Sequence, residues 1–237
     1  MLNLVPYPQQ CRIQRGEYAL IKKAQARVAD PASLPLCIRH KLTTLGLRVK
    51  ADASLPALTC VIGIPDLDGV RPPRKPEGYA LRVMTRGVVI RGFDADGLFW
   101  GLVTLEQLAS SGCMIPCVEI SDWPAFGFRG HHDDISRKQV SNVADFKRII
   151  RLLSSYKIKY YTPYMEDMLF LKSYPDIGAT RGHLLPHEVK AIVEEGARHN
   201  VVVFPTYSLI GHQENLLSMP RYRKLARDVF YAPSSLD

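Results

Sequence analysis

No apolar run in this 237-residue chain approaches the ~18 residues that a membrane-spanning helix requires. The N-terminus, Met1-Leu2-Asn3-Leu4-Val5-Pro6-Tyr7-Pro8, lacks a basic opening and a long apolar core. It does not have the form of a secretory signal peptide, and a cytoplasmic location is the expectation. Cysteine is sparse and unpatterned: five residues, Cys11, Cys37, Cys60, Cys113 and Cys117. An odd number at scattered spacing points to free thiols rather than a disulfide framework. Cys113 and Cys117 form a C-x3-C pair with no second pair to complete a zinc site. His131 and His132 are adjacent, so on a strand they point to opposite faces. His183 and His187 have the spacing of a helical metal pair, but Pro186 lies between them and no H-E-x-x-H is present. No metal and no cofactor are therefore expected. The net charge is +8, yet no run of five basic residues and no nucleic-acid motif accompanies it. Nucleic acid is not an expected partner, and neither is a membrane.

What is present falls into two patterns. In the first, Leu58 to Ile64 is a short apolar strand stopped by Pro65-Asp66, and a Pro-rich basic loop runs from Val70 to Pro76. Tyr79 to Met84 alternates apolar and polar, Thr85-Arg86-Gly87 turns the chain, and Val88 to Gly92 returns it as a hairpin. Asp94 or Asp96 can cap the helix that follows. Its apolar positions Leu98, Phe99, Leu102, Leu105 and Leu108 recur at helical spacing. Pro31 to Leu47 holds a further helix candidate. Strands and helices that do not alternate strictly read as an α+β domain.

The second pattern alternates cleanly. Phe128 to Ser136 is a strand candidate. Asn142 can cap a helix whose inward face is Val143, Phe146, Ile149, Ile150 and Leu153. Ile158 to Tyr164 is the next strand, and Pro186 opens a helix with Val189, Ile192, Val193 and Ala197 inward. Val201 to Phe204 is continuously apolar, as for a parallel strand buried on both faces. Strand–helix–strand–helix–strand implies right-handed crossovers and a parallel sheet. The expected division is 1–121 and 122–237.

In parallel α/β folds the chemistry gathers at the carboxyl ends of strands. That rule selects His131, His132, Asp133, Asp134, Ser136 and Arg137 after the first strand. It selects Glu166 and Asp167 after the second, and Thr206, Tyr207, Gly211, His212 and Glu214 after the third. Carboxylates, a histidine and an arginine on one rim suit a hydroxyl-rich ligand, because carboxylates accept hydroxyl protons and guanidinium groups donate in a fork.

Leu98-Phe99-Trp100-Gly101-Leu102-Val103-Thr104-Leu105-Glu106-Gln107-Leu108 resembles the helix that closes the N-terminal domain of glycoside hydrolase family 20, the β-N-acetylhexosaminidases. Asp122-Trp123-Pro124, with Phe128-Arg129-Gly130 and Asp134-Ile135-Ser136-Arg137, resembles that family's opening of its catalytic barrel. Tyr207 to His212 resembles its turn carrying a Pro-Gly-His histidine. The resemblance spans nearly the whole chain. It implies an N-terminal α+β domain followed by the first part, about three units, of a (β/α)8 TIM-type barrel. It assigns Arg129 to sugar hydroxyls at the terminal subsite, His212 to the neighbourhood of the catalytic pair, and Asp167 to the family's H-x-T-D-D-Q segment. Here that segment reads Tyr164-Met165-Glu166-Asp167-Met168, and Ile210 stands where the family has proline.

The activity implied is removal of a terminal N-acetylhexosamine from a glycan or glycoconjugate, by a retaining, substrate-assisted mechanism. The family's catalytic Asp-Glu pair follows a fourth strand, so it is expected beyond Asp237. No catalytic residue is assigned here, and the chain alone is expected to be inactive and to self-associate through an open barrel edge. Each assigned residue also has a structural reading. Arg129 could pair with Asp133 or Asp134, Asp167 could cap a loop, and His212 could stabilise a turn. A non-catalytic carbohydrate-binding module and a basic nucleic-acid-associated α/β protein are the alternative functions.

Overall fold

The computed structural model describes residues 2–19, 25–28, 31–50, 58–62, 69–110, 112, 114–137 and 141–226. It is a mixed α/β structure with two separate sheets, one of seven strands and one whose strands are all parallel. It divides into two units. The first is 1–127 with the short stretches 154–157 and 197–200, and the second is the remainder.

The first unit is organised around the hairpin. β5 (Tyr79–Met84) and β6 (Gly87–Gly92) pair antiparallel from Tyr79↔Gly92 to Met84↔Gly87. Around them lie β1 (Gln10–Ala19), β2 (Gln25–Val28), β3 (Arg48–Lys50), β4 (Leu58–Ile62) and β7 (Met114–Asp122), in the order β1-β7-β5-β6-β4-β2-β3. The expected strand from Leu58 ends at Ile62 within the described residues, and 63–68 lie outside them. The strand expected to be half-buried, β5, is buried over Tyr79–Leu81, and β6 is buried throughout. The reason is α2 (Ala95–Ala109), which lies against one face and buries Leu98, Phe99, Trp100, Leu102 and Leu105. Each such side chain contributes about 1.5–3 kcal/mol. Asp94 is the cap, accepting from the Gly97 amide at 2.7 Å. Gly97 is required for a steric reason: a Cβ there would stand 2.1 Å from the Gly78 carbonyl oxygen. The second helix, α1 (Leu36–Thr44), falls inside the candidate segment 31–47.

This unit buries several charges, and each has a partner. Asp122 accepts from Lys157 at 3.0 Å and from the Tyr79 hydroxyl at 2.9 Å. Lys157 also donates to the Tyr79 oxygen at 2.8 Å, which shares a 2.6 Å bond with Thr104. Burial first, and then the neighbouring Asp122 charge, raises the Tyr79 phenol well above its ordinary value. Glu77 accepts from the Trp100 indole at 2.7 Å.

The second unit alternates. β8 (Gly130–Asp134), α3 (Val143–Ser155), β9 (Tyr160–Met165), α4 (Pro186–Arg198), β10 (Val202–Val203) and β11 (Thr206–Tyr207) follow in order. β8 lies along one edge of β9. β10 and β11 lie along the other, pairing at Val202↔Tyr160 and Thr206↔Tyr164 with Pro205, which has no N–H, between them. Asn142 caps α3 through the Asp145 amide at 3.0 Å. Phe146, Ile150, Leu153, Tyr161, Met165 and Ile192 form the core.

Two expectations are corrected here. Val202 is 48% and Phe204 37% exposed, while Val201 is buried, so this strand alternates rather than burying both faces. It is an edge strand among the described residues, paired with β9 alone. On α4, Val193 is 46% exposed and Ala197 is exposed. The inward stripe runs through Ile192, Glu195 and Gly196 instead. The buried Glu195 is tolerated because Arg151 donates to it at 2.6 Å.

Candidate active-site rim

The carboxyl ends of β8, β9 and β11 carry the polar groups of the second unit. After β8 the chain turns on itself. The Asp134 carboxylate accepts from the Ser136 hydroxyl at 2.6 Å and from its amide at 2.9 Å. The hydroxyl bond, aided by that amide and Arg137, holds the Asp134 carboxyl below its ordinary range. The turn delivers Arg137 onto the rim. Its guanidinium lies 3.4 Å from Asp134, 2.9 Å from Glu166 and 3.4 Å from the Nδ1 of His212. The Glu166 oxygen nearest Arg137 is close enough for an ion pair but out of line for a hydrogen bond.

Glu166 and Asp167 follow β9 directly, and both are buried. Asn215 donates to Glu166 at a long 3.5 Å. Asp167 is held by Arg181, which also donates to the Ser136 carbonyl, so one guanidinium ties the ends of β8 and β9 together. Arg181 also stands 4.0 Å from Glu166. Gly178 permits this arrangement. It has φ +68°, and a Cβ there would come within 1.9 Å of the Asp167 carbonyl oxygen.

After β11 the chain makes a tight turn. Ser208 donates to the Gly211 carbonyl at 2.8 Å and Gln213 to the Ser208 carbonyl at 2.6 Å. The turn holds His212 exposed, in a left-handed conformation with φ 56°. Below it, a cavity of about 290 Å³ is bounded by Asp167, Tyr174, Ile177, Tyr207, Leu216 and Tyr222. Burial, and then the Asp167 charge, raises the Tyr207 phenol.

Of the three residues assigned from sequence, Asp167 and His212 lie at carboxyl ends. Arg129 does not. It precedes Gly130, the first residue of β8, so it stands at the amino end of that strand. Its carbonyl accepts from the Lys159 and Tyr160 amides at the start of β9. The expected position at a carboxyl end is thus met by Asp167 and His212 and not by the backbone of Arg129. The arginines that contact those groups among the described residues are Arg137, eight residues further on, and Arg181. The carboxyl-end rule already selects Arg137, whereas the resemblance favours Arg129 through its Arg-Gly dipeptide. Arg181 carries no sequence signal, since it lies in a non-periodic loop.

A model of glycosyl hydrolase family 20, domain 2, matches residues 1–123. The chain belongs to glycoside hydrolase family 20. A β-hexosaminidase of Porphyromonas gingivalis is 30% identical over 95% of this family 20 chain and 32% of its own length. A β-hexosaminidase of Vibrio vulnificus is 27% identical over 94% of this chain and 29% of its own. The chain thus spans about a third of the length of these curated relatives. Among solved structures, the β-N-acetylhexosaminidase of Bacteroides fragilis superposes with a TM-score of 0.80, at 22% identity, over 98% of this chain and 50% of that one. That likeness establishes a shared fold.

Proposed function

We propose that this chain forms the amino-terminal part of a β-N-acetylhexosaminidase, with the rim of Arg137, Glu166, Asp167 and His212 holding a terminal N-acetylhexosamine. In this reading the second unit is the first three units of a (β/α)8 barrel, and the first unit is the α+β domain preceding it. The three parallel strands with intervening helices support the barrel. One observation carries the sugar site: a single guanidinium, Arg137, meets carboxylates following two strands and the histidine following a third. Such a constellation donates to and accepts from vicinal hydroxyls at once. Hydrolysis then proceeds by attack of the substrate's 2-acetamido oxygen on the anomeric carbon. A carboxylic acid protonates the leaving oxygen, as in the substrate-assisted glycosidases. The two rim carboxylates of β9 face guanidinium groups, so the acid and its orienting aspartate are assigned to a segment outside this chain. Expressed alone, residues 1–237 are inactive and self-associate through the edge that exposes Val202 and Phe204.

A non-catalytic sugar-binding module is the second reading. It is favoured by Tyr164, Met168 and Ile210 standing where the family pattern has histidine, aspartate and proline. The test is release of an aryl group from an aryl N-acetyl-β-glucosaminide by the full-length protein. Turnover is expected, with kcat/KM reduced about 10–150-fold by Arg137→Ala, the equivalent of one or two charge-assisted hydrogen bonds. N-acetylglucosamine binding without turnover selects the module. Turnover insensitive to Arg137→Ala removes the rim from the sugar.

A further inference from the structure

The chain between β9 and α4, 166–185, has no regular helix or long strand, yet it is tied down along its length. Met168, Ile177 and Leu184 are buried. The Leu184 amide donates to the Met168 carbonyl at 2.9 Å and the Phe170 amide to the Leu184 carbonyl at 3.0 Å, which closes the segment on itself. Its far side turns at Gly178 and Gly182, with φ +68° and +78°. Between them the Arg181 amide donates to the Gly178 carbonyl at 2.9 Å, and beside them His183 Nδ1 lies 2.7 Å from the Ile177 carbonyl. The effect is to carry one side chain, Arg181, back to the carboxyl ends of the strands.

Arg181 divides its fork between two of those ends. One nitrogen donates to the Asp167 carboxylate after β9, and another to the Ser136 carbonyl after β8. Its side chain is 22% exposed, against 52% for Arg137. Ser136 is buried, and each of its polar atoms is engaged. Its hydroxyl and amide donate to Asp134, and its carbonyl accepts from Arg181. Arg137 is the next residue, so its backbone leaves from a fixed point. Asp167 is engaged in the same way, whereas its neighbour Glu166 is not. One Glu166 oxygen has the long Asn215 bond, and the other has no hydrogen bond and stands against the Arg137 charge. Of two adjacent buried carboxylates, Arg181 takes one and leaves the other turned to Arg137.

We infer that Arg181 is a positioning residue for the sugar rim: it pins Asp167 and the Ser136 turn, and so sets where Arg137 and Glu166 meet the ligand. The inference rests on the hexosaminidase reading for the identity of that ligand. The geometry calls for arginine. A planar fork reaches acceptors on two strands at once, which a lysine ammonium on a single stem does not reproduce. The effect of Arg181 on the ligand passes through Asp167, Ser136 and Arg137.

The test uses the full-length protein and an aryl N-acetyl-β-glucosaminide. Arg181→Ala should lower kcat/KM about 100-fold, the scale of a displacement of about 1 Å in a binding group. Millimolar guanidinium ion should restore much of the loss by occupying the space of the missing side chain, and sodium chloride at equal ionic strength should not. Arg181→Lys should lose less than Arg181→Ala, and guanidinium should not improve it, because the lysine fills that space. Asp167→Ala breaks the same clasp, so combining it with Arg181→Ala should cost little more than either change alone. Wild-type kcat/KM in Arg181→Ala overturns the proposal. So does a loss that guanidinium leaves untouched in a variant with the wild-type circular dichroism spectrum, and so do additive losses in the double variant. If Arg181→Ala does not fold, Arg181→Lys and Asp167→Ala carry the decision: non-additive losses support the clasp, and additive ones overturn it. Failure of the hexosaminidase reading is separable, because it appears in the wild type. A wild type that binds N-acetylglucosamine without turnover keeps the same test, with its dissociation constant in place of kcat/KM. A wild type that does neither overturns both.

Discussion

The two units bury carboxylates for opposite purposes. In the first, Asp122 is enclosed by Lys157, Tyr79 and the Gln9 amide, all within hydrogen-bond reach. Glu77 is closed off by the Trp100 indole. These acids brace a sheet against a helix. In the second, Glu166 and Asp167 are as deeply buried, yet they stand at the end of a strand beside exposed Arg137 and exposed His212. The partners of Glu166 lie at long or misaligned geometry, 3.5 Å to Asn215 and an ion pair out of hydrogen-bond line to Arg137, while Asp167 is held directly by Arg181. A carboxylate whose bonds are all short and buried is structural. One whose partners can turn outward can exchange them for a ligand.

The sharpest test of that contrast is on the bracing side. Lys157→Met should leave Asp122 buried with its charge uncompensated, at a cost of about 3–5 kcal/mol. Urea unfolding should show a lower midpoint with unchanged slope. Lys157→Met combined with Asp122→Leu should recover part of the loss, because the orphaned charge is then gone. A loss below about 1 kcal/mol for the single variant, the range of exposed pairs, would mean that water reaches Asp122 and that the two units do not differ in this way.

On the rim the expected effect appears in turnover instead. In the full-length protein Arg137→Ala should lower kcat/KM about 10–150-fold and leave the melting temperature within a few degrees of wild type, since Arg137 is exposed. Arg129→Ala should do the reverse, because Arg129 stands half-buried at the amino end of β8. If Arg129→Ala lowers kcat/KM and Arg137→Ala does not, the sugar assignment returns to Arg129.

That pair of variants also marks where the sequence stops being readable. The hairpin of β5 and β6, the Asp94 cap and the Asn142 cap are local, set within a few residues by turn chemistry and spacing, and all are visible in the chain. So is the parallel order of β8, β9 and β10. Which end of β8 an arginine occupies depends on where the strand begins. A two-residue error at Phe128 moves Arg129 from one end of the sheet to inside it. The exposure of Val202 and Phe204 depends on which neighbours the strand has, which its own apolar run does not encode. Arg181 reaches Asp167 across fourteen residues of irregular loop, and no periodicity announces it.

A smaller effect sharpens the bracing side. Asp94 accepts from two amides, Gly97 at 2.7 Å and Glu77 at 2.9 Å. Asp94→Ala therefore uncaps α2 and also frees the residue that holds Trp100. The expected loss is about 2 kcal/mol, the upper end for a helix cap. Asp94→Asn keeps an oxygen acceptor for one amide and should cost less. Equal losses for the two would show that the carboxylate's second bond contributes nothing.

The smallest expected effect concerns Asp134, whose carboxylate is 41% exposed on its side chain. Its folded value is depressed, chiefly by the Ser136 hydroxyl. A depressed carboxyl adds stability that is present above its unfolded value, about 3.9, and that is lost as pH falls through the folded one. Ser136→Ala removes the largest cause, so the Asp134 titration should move up toward the ordinary range. The acid limb of the stability curve should then begin at a higher pH. The Asp134 carboxyl carbon followed by NMR between pH 2 and 6 reports this directly. Exposure to solvent screens the effect, so the shift should be modest and should shrink in high salt. An unchanged midpoint in Ser136→Ala would assign the depression to Arg137 instead. The turn that delivers Arg137 to the rim would then be held by that ion pair, and Arg137→Ala would disorder the rim as well as remove a sugar contact.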